Sequence, residues 1–249
     1  MTTNWTTPDQ PSMRVQEEQA RWLAPLRTRL LRQANVAQRL NVVDLGCGAG
    51  VVTRELTRRA KGKVWAVDRN SRIQDAPSGQ YGQAERLVAM SDALPFPELA
   101  VDMVFCQFAL MWMPLHETIE EIWRMLTPGG VLIAIEPDYA SGVVEYPPEI
   151  AVGDLWLSGL KAAGANVDAG RRLPGLLQRR GFEVKVDLLS GMRAPSMQRF
   201  ESLLELPLDD EGKRRVANAE RLAKNLRGPW EQVLHLPIFG ITATKPDVG

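Results

Sequence analysis

The chain has 249 residues, 45% of them hydrophobic, and its 30 basic side chains balance its 30 acidic ones. A balanced charge argues against a nucleic-acid partner, and the lack of any apolar run of about 18 residues argues against a membrane span. The only two cysteines, Cys47 and Cys106, are too few for a disulfide framework, and residues 1–11 lack the apolar core of a secretion signal, so the sequence predicts a cytoplasmic protein.

The first predicted element is a helix. Apolar side chains recur every three or four positions through residues 14–36, which is the spacing of one buried helix face. Residues 1–13 before it are mostly polar and are expected to form a loose tail. Because proline removes a backbone donor and crowds the preceding turn, Pro25 is expected to kink or split this helix.

A strand, a glycine turn and a second helix follow. The β-branched pair at 42–43 predicts a buried strand, Gly46, Gly48 and Gly50 alternate after it, and residues 51–60 are rich in helix formers. This arrangement directs several backbone N–H groups and the positive end of a helix at one place, where a nucleotide-like ligand or an anion binds. Glycine suits such a turn because a side chain would block close approach and because the turn often needs a positive φ.

The spacing of these glycines distinguishes two kinds of ligand. The dinucleotide fingerprint Gly-x-Gly-x-x-Gly would need glycine in place of Val51, which argues against a nicotinamide-dependent oxidoreductase. The run Asp44-Leu45-Gly46-Cys47-Gly48-Ala49-Gly50 closely resembles motif I of the class I S-adenosylmethionine-dependent methyltransferases. In that family the glycine loop accommodates the methionine half of the cofactor, and the acidic residue anchors the loop or reaches the ligand's ammonium through water.

The next two predicted strands end in further cofactor candidates. Strand 63–68 ends at Asp68, whose carboxylate can accept both ribose hydroxyls of a nucleotide. Only a short helix is expected at 71–76, which is a departure from the family pattern. Strand 86–90 leads into Asp92-Ala93, which resembles the family's segment for the adenine ring, with the carboxylate on the amino group and the following N–H on a ring nitrogen.

A second strong match to the family follows the fourth strand. Strand 102–108 is expected to face the methyl group with its carboxyl end, and a helix is expected at 115–126. Leu126-Thr127-Pro128-Gly129-Gly130 then predicts a turn before an apolar strand at 131–135. The resemblance implies S-adenosylmethionine as the cofactor and the following binding residues: Asp44, Gly46, Cys47, Gly48, Gly50, Asp68, Arg69, Asp92, Ala93 and Gln107.

The family fold is an α/β Rossmann-like seven-stranded methyltransferase sheet whose last strand is antiparallel and lies between strands five and six. Alternating apolar residues predict this last strand at 233–244. Two segments at 139–169 and 192–227 carry helical spacing and are expected to be helical cap insertions that roof the acceptor site. We expect residues 1–249 to form a single methyltransferase domain, in which helix 14–36 either closes over the cofactor or packs on the sheet edge.

Methyl transfer from a sulfonium is an in-line displacement with an excellent leaving group, so alignment and exclusion of water can supply much of the rate. A base is needed only if the acceptor must lose a proton. Two candidates are His116, which alternatively is a surface or capping residue, and Asp138, which alternatively caps the segment after its strand. No metal site is expected. The candidate walls of the acceptor pocket are Met111, Trp112, Tyr139 and Trp156, and Met111 and Trp112 alternatively belong to the packed core.

The sequence therefore predicts an enzyme that methylates a small, partly apolar metabolite with S-adenosylmethionine. The segment at 106–109 lacks the Asn/Asp-Pro-Pro-Tyr/Phe motif of methyltransferases that act on the amino groups of bases, which again argues against nucleic acid. The alternative is a non-catalytic cofactor-binding or regulatory protein on the same fold. The acceptor atom stays open between carbon, nitrogen and oxygen, and the oligomeric state stays open between monomer and homodimer.

Overall fold

The structure is a computed structural model that describes residues 11–192 and 194–247. Most of the expected polar tail, residues 1–10, lies outside the described part of the chain. The helices are α1 Met13–Gln33, α2 Thr53–Arg59, α3 Leu115–Met125, α4 Gly153–Ala162, α5 Ala169–Arg180, α6 Gln198–Leu204 and α7 Asp210–Ala223. The strands are β1 Asn41–Leu45, β2 Lys63–Asp68, β3 Glu85–Val88, β4 Val101–Gln107, β5 Leu126–Pro137, β6 Val144–Tyr146, β7 Glu183–Leu188, β8 Val233–His235 and β9 Ile238–Thr244.

Seven strands form the central sheet in the order β3-β2-β1-β4-β5-β9-β7. Strands β1 to β5 run parallel to one another, whereas β9 runs antiparallel to both β5 and β7. This confirms the predicted Rossmann-like sheet with its last strand inserted antiparallel. The central strands β1, β4 and β5 are apolar along most of their length because helices cover both faces of the sheet.

The core consists of two layers, one on each face of the sheet. Neighbouring residues of β1 point to opposite layers, so Val43 packs in the layer that contains α3 and α5, whereas Val42 packs in the layer that contains α1. A smaller apolar cluster joins α4, α6 and α7 around Phe200 and Val216. Within the described residues, none of the helices combines the length and the apolar composition that crossing a membrane requires.

Helix α1 runs unbroken through Pro25, so the expectation that this proline would split the helix is wrong. Pro25 and Arg21 are both exposed, and water can therefore satisfy the carbonyl that proline leaves without a donor. The opposite face of α1 is buried on β9, where Gly240 leaves room for Leu26 and Leu30. A Cβ at Gly240 would lie 2.9 Å from a methyl carbon of each leucine.

The region expected to form one strand at 233–244 forms two. Residues Val233–His235 pair with Val144–Tyr146 in a separate two-stranded sheet, and the main-sheet strand begins only at Ile238. Pro237 separates the two because it cannot donate to a strand ladder. The first cap segment, 139–169, therefore contains a strand as well as the helix Gly153–Ala162.

Candidate active site

The glycine loop at the end of β1 has the backbone conformation that its sequence suggests. Gly46, Gly48 and Gly50 all have positive φ, at 74°, 54° and 76°, a region that other residues adopt only with strain. The Gly46 N–H donates to the carbonyl of Val67 at 2.8 Å, which fixes the loop to the neighbouring strand. The Gly48 N–H donates to Oδ2 of Asp68 at 3.0 Å. The loop and the acidic end of β2 therefore form one unit.

Asp44 joins the end of β1, just before the glycine loop, to the start of α2. Its carboxylate is buried and accepts a hydrogen bond from the hydroxyl of Thr53 at the start of α2. Burial raises the pKa of Asp44 to about 7, since the charged form loses its hydration. Of the two roles that the resemblance allows for this residue, these contacts fit the anchoring one.

A cavity of about 520 Å³ lies beyond the carboxyl ends of β1, β2 and β4. Six of the ten expected cofactor residues line it: Gly46, Gly48, Asp68, Arg69, Asp92 and Gln107. The other four do not line it: Asp44, Cys47, Gly50 and Ala93. Gly50 lies instead under Tyr81, where a Cβ would come within 2.4 Å of the ring.

This first cavity fits a nucleoside cofactor. A Cβ at Gly46 would lie 2.5 Å from the side chain of Ala109, so glycine lets the turn at Ala109 pack directly against the loop. Next to the loop, Oδ1 of Asp68 accepts the N–H of Asn70 at 3.0 Å while the residue still lines the cavity. Each carboxylate oxygen has more than one acceptor site, so Asp68 can also accept ribose hydroxyls.

Helix α1 supplies residues to the site that the sequence did not single out. Oε1 of Gln16 accepts the N–H of Ala49 at 2.8 Å, which fixes the first turns of α1 on the glycine loop. Near the middle of the helix, the buried guanidinium of Arg27 donates to Oε1 of Gln107 at 3.0 Å and forms an ion pair with Glu55. No local spacing signal marks these residues, because their partners lie far away in the sequence.

A second cavity, of about 410 Å³, adjoins the first. The two share Phe108, Tyr139 and Trp156, together with Val15, Gln19 and Ser202. The ring of Trp22 meets Phe108 edge-on with centroids 6.1 Å apart, and Tyr139 stacks on Trp156 at 5.8 Å. Residues from the segments 189–192, 194–202 and 234–236 line the rest of the second cavity. Both regions expected to be caps therefore contribute walls, although α7 lines neither cavity.

Phe108 stands at the junction of the two cavities in an unusual conformation. Its φ is +53°, which is strained for a residue with a bulky side chain. Hydrogen bonds of the turn that follows stabilise this conformation. The carboxylate of the fully buried Glu136 accepts the N–H groups of Ala109, Leu110 and Met111. Burial raises the pKa of Glu136 to about 7, and these hydrogen bonds oppose the shift.

The two candidate bases lie outside both cavities. His116 is exposed at the start of α3. Asp138 is buried, and its carboxylate accepts hydrogen bonds from the guanidinium of Arg171 and the N–H of Ser141. The contacts of Asp138 fit the capping alternative. Of the expected acceptor walls, Met111 and Trp112 line only the first cavity.

Comparison with known families decides the identity of the fold and its ligand. Residues 43–134 match the family described as "Methyltransferase domain". Residues 43–134 therefore form a class I S-adenosylmethionine-dependent methyltransferase domain. S-adenosylmethionine is therefore the cofactor that the first cavity fits.

Curated relatives of this methyltransferase domain include trans-aconitate 2-methyltransferase of Delftia acidovorans, which is 36% identical over 113 residues. That match covers 44% of this chain and 42% of the relative. Malonyl-[acyl-carrier protein] O-methyltransferase 1 of Coxiella burnetii is 35% identical over 103 residues, or 40% of this chain and 35% of the relative. The chain thus matches less than half the length of these relatives.

The structure of geranyl diphosphate C-methyltransferase from Streptomyces coelicolor, solved with S-adenosylhomocysteine, superposes with a TM-score of 0.57 at 16% identity. The superposition covers 92% of this chain and 84% of that one, which shows a shared fold. The family match at 43–134 spans the first cavity's strands but ends before the segments at 189–192, 194–202 and 234–236. The second cavity therefore belongs mostly to the part of this chain that the family match leaves out.

Proposed function

We propose that this protein transfers the methyl group of S-adenosylmethionine to a small, partly apolar molecule held in the second cavity. The observation that carries the proposal is the junction: the cofactor cavity opens into a second one across Phe108, Tyr139 and Trp156. A volume of about 410 Å³ suits a small metabolite, and aromatic walls suit an apolar body.

The residues of this chain would act mainly by positioning and by excluding water. S-adenosylmethionine supplies an electrophilic methyl group and a neutral leaving group when it is bound. The aromatic walls at the junction would hold the acceptor in line with that methyl group and keep the surroundings dry. Because His116 and Asp138 lie outside both cavities, the proposed reaction uses neither as a base.

The names of the relatives support methyl transfer. Two curated relatives are named for trans-aconitate and for malonyl-[acyl-carrier protein], and a solved neighbour is named for geranyl diphosphate. These names differ in the chemistry of the acceptor, so they support the reaction class rather than a particular substrate.

The test combines cofactor binding with an acceptor panel. Calorimetry with S-adenosylhomocysteine is expected to show one site, and a panel of small apolar acids, amines, phenols and thiols is expected to give S-adenosylhomocysteine with at least one member. Two variants serve as a matched pair: Trp156→Ala, in the wall that both cavities share, and Trp230→Ala, on the exposed surface. A loss of methyl transfer in Trp156→Ala alone would come from the cavity, whereas an equal loss in both would come from removing any tryptophan ring. Tight cofactor binding without transfer to any acceptor would instead favour the non-catalytic alternative.

A further inference from the structure

One cation of the second cavity has no direct ion pair with any described residue. Arg199, near the start of α6, lines this cavity and is half-buried, with its guanidinium 4.1 Å from the ring centre of Phe200. Its Nη1 donates to the carbonyl of Ser196 at 3.0 Å, and its Nη2 donates to Oε1 of Gln232 at 2.6 Å. These contacts fix the plane of the guanidinium and use two of its five N–H donors.

Among the described residues, nothing accepts a hydrogen bond from the remaining three N–H groups of Arg199. The Nε atom of Arg199 is shielded from solvent and has no hydrogen-bond partner. Within residues 11–192 and 194–247, no carboxylate forms an ion pair with this side chain. Protein atoms enclose Nε, so the donors left for a ligand are the second N–H groups of Nη1 and Nη2.

The charged groups around Arg199 do not neutralise it. Glu145 attracts it only at longer range and forms no direct ion pair with it, while its Oε2 atom accepts the N–H groups of Val152 and Gly153 at 2.9 and 2.6 Å. Glu18, which also lines the cavity, forms an ion pair with Arg21 at 3.4 Å. Burial consequently lowers the pKa of Arg199 to about 10, still far above neutrality, so the side chain stays charged.

We infer that Arg199 binds a carboxylate of the acceptor, and that the acceptors of this protein are monocarboxylates with an apolar or aromatic body. The inference rests on the proposed function and names the substrate class of the same cavity. A planar guanidinium with free adjacent donors matches a carboxylate, and charge-assisted bonds of this kind are the strong ones. A single unpaired cation among the described lining residues balances one negative charge, and the aromatic walls take the rest of the molecule.

The first experiment uses the unaltered protein saturated with S-adenosylhomocysteine. Calorimetry compares 3-phenylpropanoate and octanoate, each with its neutral primary amide of the same shape. We expect each acid to bind roughly tenfold or more tightly than its amide, because only the acid gains the charged bond. Equal affinities within each pair, or amides that bind better, would overturn the inference without any variant.

The second experiment assigns the effect to Arg199. Arg199→Gln is expected to remove the preference for the acids while leaving the amides and S-adenosylhomocysteine bound as before, and Arg199→Lys is expected to retain part of it. Arg179→Gln is the matched control, since Arg179 is an exposed arginine on α5 that lines neither cavity. A preference for acids that survives unchanged in Arg199→Gln would place the anion elsewhere and overturn the assignment.

The two proposals can fail separately. If acids bind through Arg199 but no carboxylate in the panel is methylated, the carboxylate-binding site is supported and methyl transfer to such acceptors is refuted. If neutral compounds are methylated readily and Arg199→Gln methylates them as well as the unaltered protein does, methyl transfer is supported and the carboxylate-binding site is refuted.

Discussion

Replacing Gly48 with alanine tests how the first turns of α1 are coupled to the glycine loop. Gly48 lines the cofactor cavity with φ +54°, and a Cβ there would lie 2.3 Å from Oε1 of Gln16. That oxygen is the end of a flexible side chain and can move away, but it would then lose its hydrogen bond to the N–H of Ala49. The substitution therefore adds backbone strain and also detaches α1 from the loop.

The magnitude follows from these two terms. A left-handed conformation costs a non-glycine residue roughly 1–2 kcal/mol, and the lost hydrogen bond costs about 0.5–1.5 kcal/mol. Gly79→Ala is the matched control because Gly79 has φ +80° and a Cβ there would meet nothing within 4 Å. We expect Gly48→Ala to lower the free energy of unfolding by roughly 1.5–3.5 kcal/mol and Gly79→Ala by roughly 1–2 kcal/mol.

Urea unfolding measures these differences, and calorimetry with S-adenosylhomocysteine measures the cofactor. Gly48→Ala is expected to weaken cofactor binding, whereas Gly79→Ala, which does not line the cavity, is expected to leave it unchanged. In a Gln16→Ala background the penalty of Gly48→Ala should shrink to the strain term alone. If Gly48→Ala costs no more than Gly79→Ala and binds the cofactor normally, the proposed contact between α1 and the loop is refuted.

Three further predictions address the affinity for the cofactor, the pH dependence of stability and the proposal that His116 is not a catalytic base. Asp68→Asn should weaken S-adenosylmethionine and S-adenosylhomocysteine alike by roughly ten- to a hundredfold in calorimetry, and unchanged affinities would place the ribose elsewhere. Burial raises the pKa of Glu136 from 4.5 to about 7, so its contribution to stability is complete below pH 4.5 and is lost as the pH rises through about 7. Glu136→Gln should therefore flatten the fall in unfolding free energy across this range, and an equally steep fall would contradict the shift. His116→Asn should leave the turnover of the best acceptor unchanged, whereas a loss of about a hundredfold would restore a catalytic role.

The cofactor half of the site could be predicted because its signals are local. Alternating glycines at 46, 48 and 50 report a backbone conformation, and the acid that ends β2 sits where parallel strands present their carboxyl ends. The order of the strands and the antiparallel β9 came from the resemblance to a family rather than from periodicity. Residues 43–134, where the family match lies, are also the region in which the predicted strands needed least correction.

The acceptor half could not be predicted in the same way, because it depends on distant pairs. The two-stranded sheet joins 144–146 to 233–235, and short alternating segments do not specify which partner they pair with. The position of Asp138 at a strand end does not indicate that its carboxylate accepts a hydrogen bond from Arg171. In the sequence, Arg199 is one of many polar residues on an amphipathic helix, and only the folded structure shows that it lines a cavity.

The shared wall between the two cavities has a consequence for the order in which ligands come and go. Val15 and Gln19, on the first two turns of α1, border both spaces, whereas Arg27 fastens the middle of the same helix through Glu55 and Gln107. An outward swing of these two turns alone would uncover both ligands together. The two products would then share one exit and could leave in either order, so inhibition patterns should be those of a random mechanism.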